Sequence, residues 1–438
     1  MMSTTTQLLK SRRFLPLFIT QLLGAFNDNL FKNAMVLFAV YSVYNSESEE
    51  ARFSAVASAV FVIPFFLLSA LSGQLADMRD KAKIIRIVKF CEILIMLVGA
   101  GGLLLAWQDL LIEEAAIPLM LVALFAMGIH STFFGPIKYA ILPQHLPREH
   151  VLAGTGLVEA GTYIAILAGT IVAGWIEVEW AAAGVLVLAV LGYFAGRQVP
   201  PAPALISPEP IDFNIVRSSF TLVRKTMADR RVFLAIMAIS LFWAIGAILF
   251  IQFPPLAKNV LAASKEVASL FLVMFSIGVA IGSIVINAIL NGRVSARHGP
   301  AAVLAMAVFV ILFQMVCRYW AEDVGPELMD VATFMSQPLA VPLLLCLLLI
   351  AIAGGMFVVP LYAFLTTFVD RSETARTVAA NNIVNSGAMV IGSLMAALLS
   401  AVGVPIIEQL LFVALCCLGS AWLGRMLYQA ENAAHASA

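Results

Sequence analysis

Apolar runs long enough to cross a membrane recur from one end of the chain to the other, separated by polar breaks. A helix needs roughly 20 apolar residues to traverse the hydrocarbon of a bilayer. Windows of that length, bounded by their polar breaks, predict twelve spans. The first six fall near 14–44, 54–76, 84–107, 117–141, 151–176 and 181–199, and the second six near 232–257, 266–290, 301–320, 339–368, 378–402 and 405–427. A longer polar connection, "AEDVGPELMDVATFMSQP", separates spans nine and ten. The expected fold is therefore an all-α polytopic membrane protein with two six-helix bundles, residues 1–199 and 232–438, joined by a linker over 200–231. Prolines in "VPPAPALISPEP" stop any helix running on from span six. After them Ile211, Ile215, Phe220, Val223 and Met227 recur at about helical spacing, with Arg217, Arg224 and Lys225 on other faces. That pattern predicts an amphipathic helix on the cytoplasmic surface.

Composition agrees with this reading. Of 438 residues, 62% are hydrophobic and 12% charged, half of the roughly 25% that covers a soluble protein. A formal net charge of zero removes any bulk electrostatic case for nucleic acid. The five cysteines, Cys91, Cys317, Cys346, Cys416 and Cys417, lie in apolar segments without metal-knuckle spacing and read as small hydrophobes. No metal and no cofactor is expected. Most of the 26 lysines and arginines gather on one side if the N-terminus is inside, and the other side holds only Arg52, Lys258, Lys265 and Arg318. That bias predicts both termini in the cytoplasm. The first span follows "LLKSRR" and is too long for a signal h-region, so it reads as a retained anchor.

The first span breaks the apolar pattern at its centre. "LLGAFNDNLFKN" places Asn27, Asp28, Asn29, Lys32 and Asn33 at membrane depth. An ionisable group there costs a few kcal/mol or more and normally faces a cavity or a partner. At 100° per residue Gln21, Asp28 and Lys32 fall within about 40° of one another, with Asn29 and Asn33 on the adjoining face. This stripe must look inward. Span five carries Thr155, Glu159 and Tyr163 at intervals of four, and span eight carries Ser276, Ser283 and Asn287. Span eleven offers Asn381 with Asn385 and Asn382 with Ser386, and span four sets a kink at Gly135 and Pro136 beside Lys138 and Tyr139. Blander readings stand beside these. Asp28 and Lys32 could neutralise each other as an i,i+4 pair, and Asn385 could be interhelical glue. His130 reads as packing, and Glu92, close to Lys89, as a group near the membrane interface. The halves also echo each other faintly: "KYAIL" at 138–142 and "LYAFL" at 361–365 each follow a proline, Pro136 and Pro360. Parallel six-span repeats mark one major transporter architecture.

The loop "GQLADMRDKAK", residues 73–83, resembles the signature loop of the major facilitator superfamily in Gly73, Leu75, Ala76, Asp77, Lys81 and Lys83. It departs from it at Met78, with Arg79 one step later, and at Asp80. In that reading Gly73, Asp77, Arg79 and Lys81 form a conformational latch, in which Asp77 caps a neighbouring helix or pairs with Arg79. "FITQLLGAFNDNLFKNAMVLF", "FGPIKYAILPQHLP", "LAGTGLVEAGTYIAILAGTIVAG" and "ISLFWAIGAILFIQFPPLAKNVL" together resemble bacterial lysophospholipid transporters of that superfamily. The resemblance implies a monomer in the bacterial cytoplasmic membrane that moves lysophospholipid from the outer to the inner leaflet for reacylation. Some family members are fused to an acyltransferase and a ligase. This chain carries no His-x4-Asp signature, so it is expected to be the transport module, functionally linked to a separate acyltransferase. Lys32 or Lys138 would then hold the phosphate and Asp28 or Glu159 the ammonium. The candidate substrate set is Asn27, Asp28, Asn29, Lys32, Lys138, Tyr139, Glu159 and Tyr163, with Trp243 and Gln252 of span seven and Asn385 of span eleven. The rival transport reading is a proton-coupled exporter of drugs or other small molecules. An embedded enzyme finds no catalytic constellation in the spans.

Overall fold

A computed structural model of the chain describes residues 4–39, 43, 47–205, 210–321 and 328–436. Twelve long helices follow one another among these residues. They are α1 (Leu15–Phe38), α2 (Glu47–Met78), α3 (Lys81–Trp107), α4 (Ile117–Ala140), α5 (Arg148–Trp175) and α6 (Val178–Arg197), then α7 (Arg230–Asn259), α8 (Lys265–Leu290), α9 (Gly299–Trp320), α10 (Ala340–Phe368), α11 (Thr374–Ala401) and α12 (Ile406–Ala436). Eleven of them are long and apolar enough to cross a membrane. The exception is α1, whose polar midsection lowers its hydropathy. The expected end of the first span at Tyr44 and linker residues 206–209 lie outside the described residues.

Helix ends follow local chemistry. Asp80 caps α3 by accepting from Ala82 N at 2.9 Å, and Asp229 caps α7 by accepting from Arg231 N at 2.8 Å. Asn291 closes α8 in the left-handed region, at φ 50°. The polar connection between spans nine and ten carries a short helix, Val331–Ser336, capped by Asp330. The backbone N–H of Thr333 bonds that carboxyl and holds it below the usual aspartate range. α2 begins at Glu47 and α12 runs to Ala436, both beyond the apolar windows, because glutamate and alanine propagate a helix outside hydrocarbon as well as in it.

The chain divides into two compact units: Met1–Lys225 with Thr366–Ile383, and Thr226–Leu365 with Val384–Ala438. In the first, Leu30, Phe31 and Met35 of α1 pack with Met96 and Leu103 of α3, Met120, Leu124 and Met127 of α4, and Val185 of α6. α5 lies close against α1 at Gly169, where a Cβ would stand 2.5 Å from Phe26 O. That approach brings the polar face of α1 against α5. In the second unit α7 is the most deeply buried of the membrane-length helices. Phe250, Phe253, Phe271 and Phe275 interlock there edge to face, the closest centroids 5.0 Å apart.

The linker helix forms over Ile215–Thr226, shorter than the 211–227 pattern suggested. Its protein-facing positions are Ser218 and Leu222, whereas Phe220 of the expected apolar stripe is exposed. Leu222 seats against Ala70, Ala379, Ala380 and Ile383, and Gln74 donates to Ser218 Oγ at 2.9 Å. One turn along α2, Asp77 accepts from the backbone N–H groups of Ala375 and Arg376 at 3.0 Å each. Its carboxylate thus caps α11, and the Arg376 guanidinium lies 3.9 Å away. Arg79 turns to Met78 O instead, so the Asp77–Arg79 pairing is not the one formed. Gly73 makes the approach possible, since a Cβ there would meet Ala379 Cβ at 2.7 Å. Asp77→Ala removes the acceptor for both amides and should cost about 0.5–2 kcal/mol of local stability. Deuterium exchange at 375–376 should quicken accordingly, and unchanged exchange would show that the cap does not hold this helix end.

Candidate functional site

The polar residues of α1 divide into two sets with different surroundings. Asn27 is fully buried and donates from Nδ2 to Glu92 Oε1 at 2.9 Å. Glu92 is itself fully buried and pairs with Lys89 one turn earlier on α3, while His130 Nε2 of α4 stands 3.2 Å from Glu92 Oε2. This corrects two expectations. Glu92 does not sit near the membrane interface, because α3 starts at Lys81 and eleven residues of helix carry it roughly 16 Å inward. His130 is not simple packing, because its ring faces that carboxylate. The Lys89 ammonium lies between α1 and α6 where both helices lack a side chain. A Cβ at Gly24 or at Gly192 would stand 3.1 Å from Lys89 Nζ.

Asp28 and Lys32 belong to the second set. Asp28 Oδ2 accepts from Ser131 Oγ at 2.6 Å, while its Oδ1 is buried with no hydrogen-bond partner. Lys32 Nζ lies 5.9 Å from the centroid of the Phe61 ring. The two charges feel each other, yet among the described residues no carboxylate oxygen comes within ion-pair distance of Lys32. The mutual neutralisation open to an i,i+4 pair is therefore not the arrangement found. Asn29 Nδ2 bonds back to Ala25 O at 2.8 Å, and Asn33 Nδ2 reaches Asn29 O at 2.7 Å and Thr170 Oγ1 of α5 at 3.1 Å.

α4 and α5 supply a further cluster. Tyr139 donates to Glu159, and Lys138 lies over the Tyr139 ring at 4.9 Å with Thr162 Oγ1 at 3.4 Å. Thr162 in turn lies 2.9 Å from Gln21 Oε1 of α1. Tyr163 is buried one turn from Glu159. Lys138, Tyr139, Glu159 and Gln21 thus come together, joined through Thr162, which no helical stripe had singled out. Each of the four has a contact within the cluster.

In the second unit Trp243 and Asn385 meet at a residue that sequence reasoning missed. Tyr362 OH accepts from Trp243 Nε1 at 2.9 Å and lies 3.3 Å from Asn385 Nδ2. Ser240 donates to Asn385 Oδ1 at 2.7 Å. The only sequence signal for Tyr362 was its place in "LYAFL", opposite Tyr139 in the repeat. Gln252 stands apart from this group and donates to Gln409 Oε1 at 2.8 Å. Gln409 Nε2 continues to Ser400 Oγ and Val404 O, so Gln252 belongs to a buried amide network near the ends of α11 and α12.

Twelve long helices among the described residues, with buried charge at mid-length in the first unit, make a polytopic helical membrane protein. Residues 17–392 match the Major Facilitator Superfamily, and the chain belongs to it. It is 25% identical over 405 residues to the lysophospholipid transporter LplT of Salmonella gallinarum strain 287/91, covering 90% of each chain. Against the protein of that name from Cronobacter sakazakii it is 25% identical over 392 residues, covering 87% of each. The fold is similar to a bacterial homologue of the iron transporter ferroportin in an outward-facing state, with TM-score 0.69, 14% identity, and 97% and 100% of the two chains covered. It is equally similar to the human organic anion transporter MFSD10, with TM-score 0.70, 14% identity, and 95% and 98% covered.

The buried α1–α3–α4 cluster carries a stability prediction. Glu92→Ala leaves Lys89 unpaired away from water and should destabilise the protein by about 3–5 kcal/mol. Replacing both members, Lys89→Met with Glu92→Leu, should recover most of that loss. Thermal unfolding of the purified protein in detergent checks both, and a wild-type midpoint for Glu92→Ala would contradict the assignment.

Proposed function

We propose that the protein is a lysophospholipid transporter of the bacterial cytoplasmic membrane that carries its substrate from the outer to the inner leaflet by alternating access. Asp28 and Lys32 carry this reading. They lie one turn apart on α1, they are opposite in charge, and neither closes on the other. Burying two charges without pairing them is costly, and a zwitterionic headgroup answers both at once. The ammonium of lysophosphatidylethanolamine would take Asp28 Oδ1, and its phosphate would take Lys32. Lys138 and Glu159, held by Thr162 and Tyr139, would form the second wall, with Tyr163 one turn from Glu159 and Asn29 further along α1. Asn27 would support the wall from behind by bracing Glu92. In the second unit, Trp243 and Asn385 around Tyr362 form an aromatic and amide cluster that would be a separate candidate contact for substrate.

Further parts of the reading rest on charge and on family likeness. The lysine and arginine bias supports cytoplasmic termini. Likeness to relatives named as lysophospholipid transporters supports the cargo, and a separate acyltransferase would consume the product. The Asp77 cap on α11, with Gly73 and Lys81 beside it, would break and re-form during the alternating-access cycle. A zwitterion answers Lys32 in a way that a cationic drug does not, which favours lysolipid over the proton-coupled exporter. In proteoliposomes Asp28→Ala and Lys32→Ala should each lower lysophosphatidylethanolamine translocation at least about tenfold, about 1.4 kcal/mol of lost headgroup interaction. The variants should still elute as monodisperse protein. Wild-type rates in both would remove the headgroup role.

A further inference from the structure

Glu92, His130, Ser131 and Asp28 stand in one line through the first unit. His130 Nε2 is 3.2 Å from Glu92 Oε2, His130 Nδ1 is 3.5 Å from Ser131 Oγ, and Ser131 Oγ donates to Asp28 Oδ2 at 2.6 Å. Three close approaches therefore join two carboxylates, and one hydrogen would satisfy each; Glu92 Oε2 and His130 Nε2 are buried without a hydrogen-bond partner. A neutral imidazole has a single N–H, serine has a single O–H, and ionised carboxylates have none. Two hydrogens serve three links, whichever ring nitrogen carries its proton. The serine hydrogen is already committed to Asp28, and the link of 3.5 Å is the longest of the three. At that length a neutral hydrogen bond contributes little.

One added proton completes the set. It can reside on the ring, making an imidazolium between Glu92 and Ser131. It can equally reside on Asp28, which then donates to Ser131 while the serine hydroxyl turns to Nδ1. Passage between the two forms breaks an O–H bond at Asp28 as an N–H bond forms at His130, with Ser131 accepting one proton and releasing another. The charged neighbours are few. Lys89 on α3 is paired with Glu92, and Lys32 lies one turn along α1 outside ion-pair distance. Lys138 on α4 and Glu159 on α5 form the adjoining cluster with Tyr139. The membrane-length stretch of α2 before Asp77 and the stretch 181–192 of α6 carry no titratable side chain.

We propose that this line is a single-proton site and that its proton and a cationic group compete for Asp28. The competition rests on the placing of a substrate ammonium at Asp28 Oδ1, the partnerless oxygen. Linkage makes the effect reciprocal: cargo with an ammonium weakens proton binding, and protons weaken cargo binding by the same factor. The buried Lys89–Glu92 pair then has a function besides neutralising itself, since it fixes the far end of the line against which the His130 ring is set.

The full-length protein in lipid nanodiscs, labelled with 15N at histidine, tests this by ring spectra across a pH series. His130→Asn identifies the signal. Asp28→Asn should move the pH at which the His130 ring becomes doubly protonated toward acid by about one unit, a tenfold loss of proton affinity. Ser131→Ala keeps both charges, cuts the relay and should move it in the same direction by less. Lysophosphatidylethanolamine should also move it toward acid, and lysophosphatidylglycerol, which has no ammonium, should leave it in place. An unchanged midpoint in both variants overturns the shared proton. A midpoint that moves in both variants but not with lysophosphatidylethanolamine overturns the competition, and with it the seating of the ammonium on Asp28.

Discussion

A carboxylate placed where no water reaches costs several kcal/mol unless its charge and lone pairs are met, and Glu92 sets that requirement for the first half of this protein. Lys89 meets the charge, Asn27 meets one oxygen, and His130 faces the other. Those partners come from three helices, so the pairing also fixes how α1, α3 and α4 stand against one another. Gly24 and Gly192 leave the space through which Lys89 passes. The close packing of α1 on α5 at Gly169 then holds the other face of α1 toward Lys138 and Glu159.

From this constraint follows the asymmetry within α1. Asn27 spends its side chain on the structural pair, while Asp28, the next residue and some 100° around the helix, keeps one oxygen unclaimed. Lys32 shares the face of Asp28 without bonding to it. Adjacent residues of one motif thus take different tasks, bracing on one side and an open charge on the other. The division explains how a helix less apolar than the other eleven can still be packed within the first unit.

Much of this was legible in the sequence, for physical reasons that also set the limits. The spans were readable because hydrocarbon demands continuous apolar length, and the inward face of α1 because lipid tolerates no polar stripe. The Gly73–Asp77 register suggested a helix cap, and Asp77 does cap α11. Glu92 was misplaced because a Lys and a Glu three residues apart look alike at an interface and at mid-membrane. Only the helix start at Lys81 and the partners Asn27 and His130, distant in sequence, separate the two. Tyr362 was missed because one hydroxyl in an apolar run gives no period to detect.

If the open charges of α1 serve a zwitterionic lipid, leaflet-resolved translocation by the unmodified protein will show it. Fluorescent lysophosphatidylethanolamine added to one leaflet of proteoliposomes, with quencher admitted to that side at intervals, reports the fraction moved across. Transfer should run well above that of protein-free vesicles and should be competed by unlabelled lysophosphatidylethanolamine. Transfer no faster than in protein-free vesicles would contradict it.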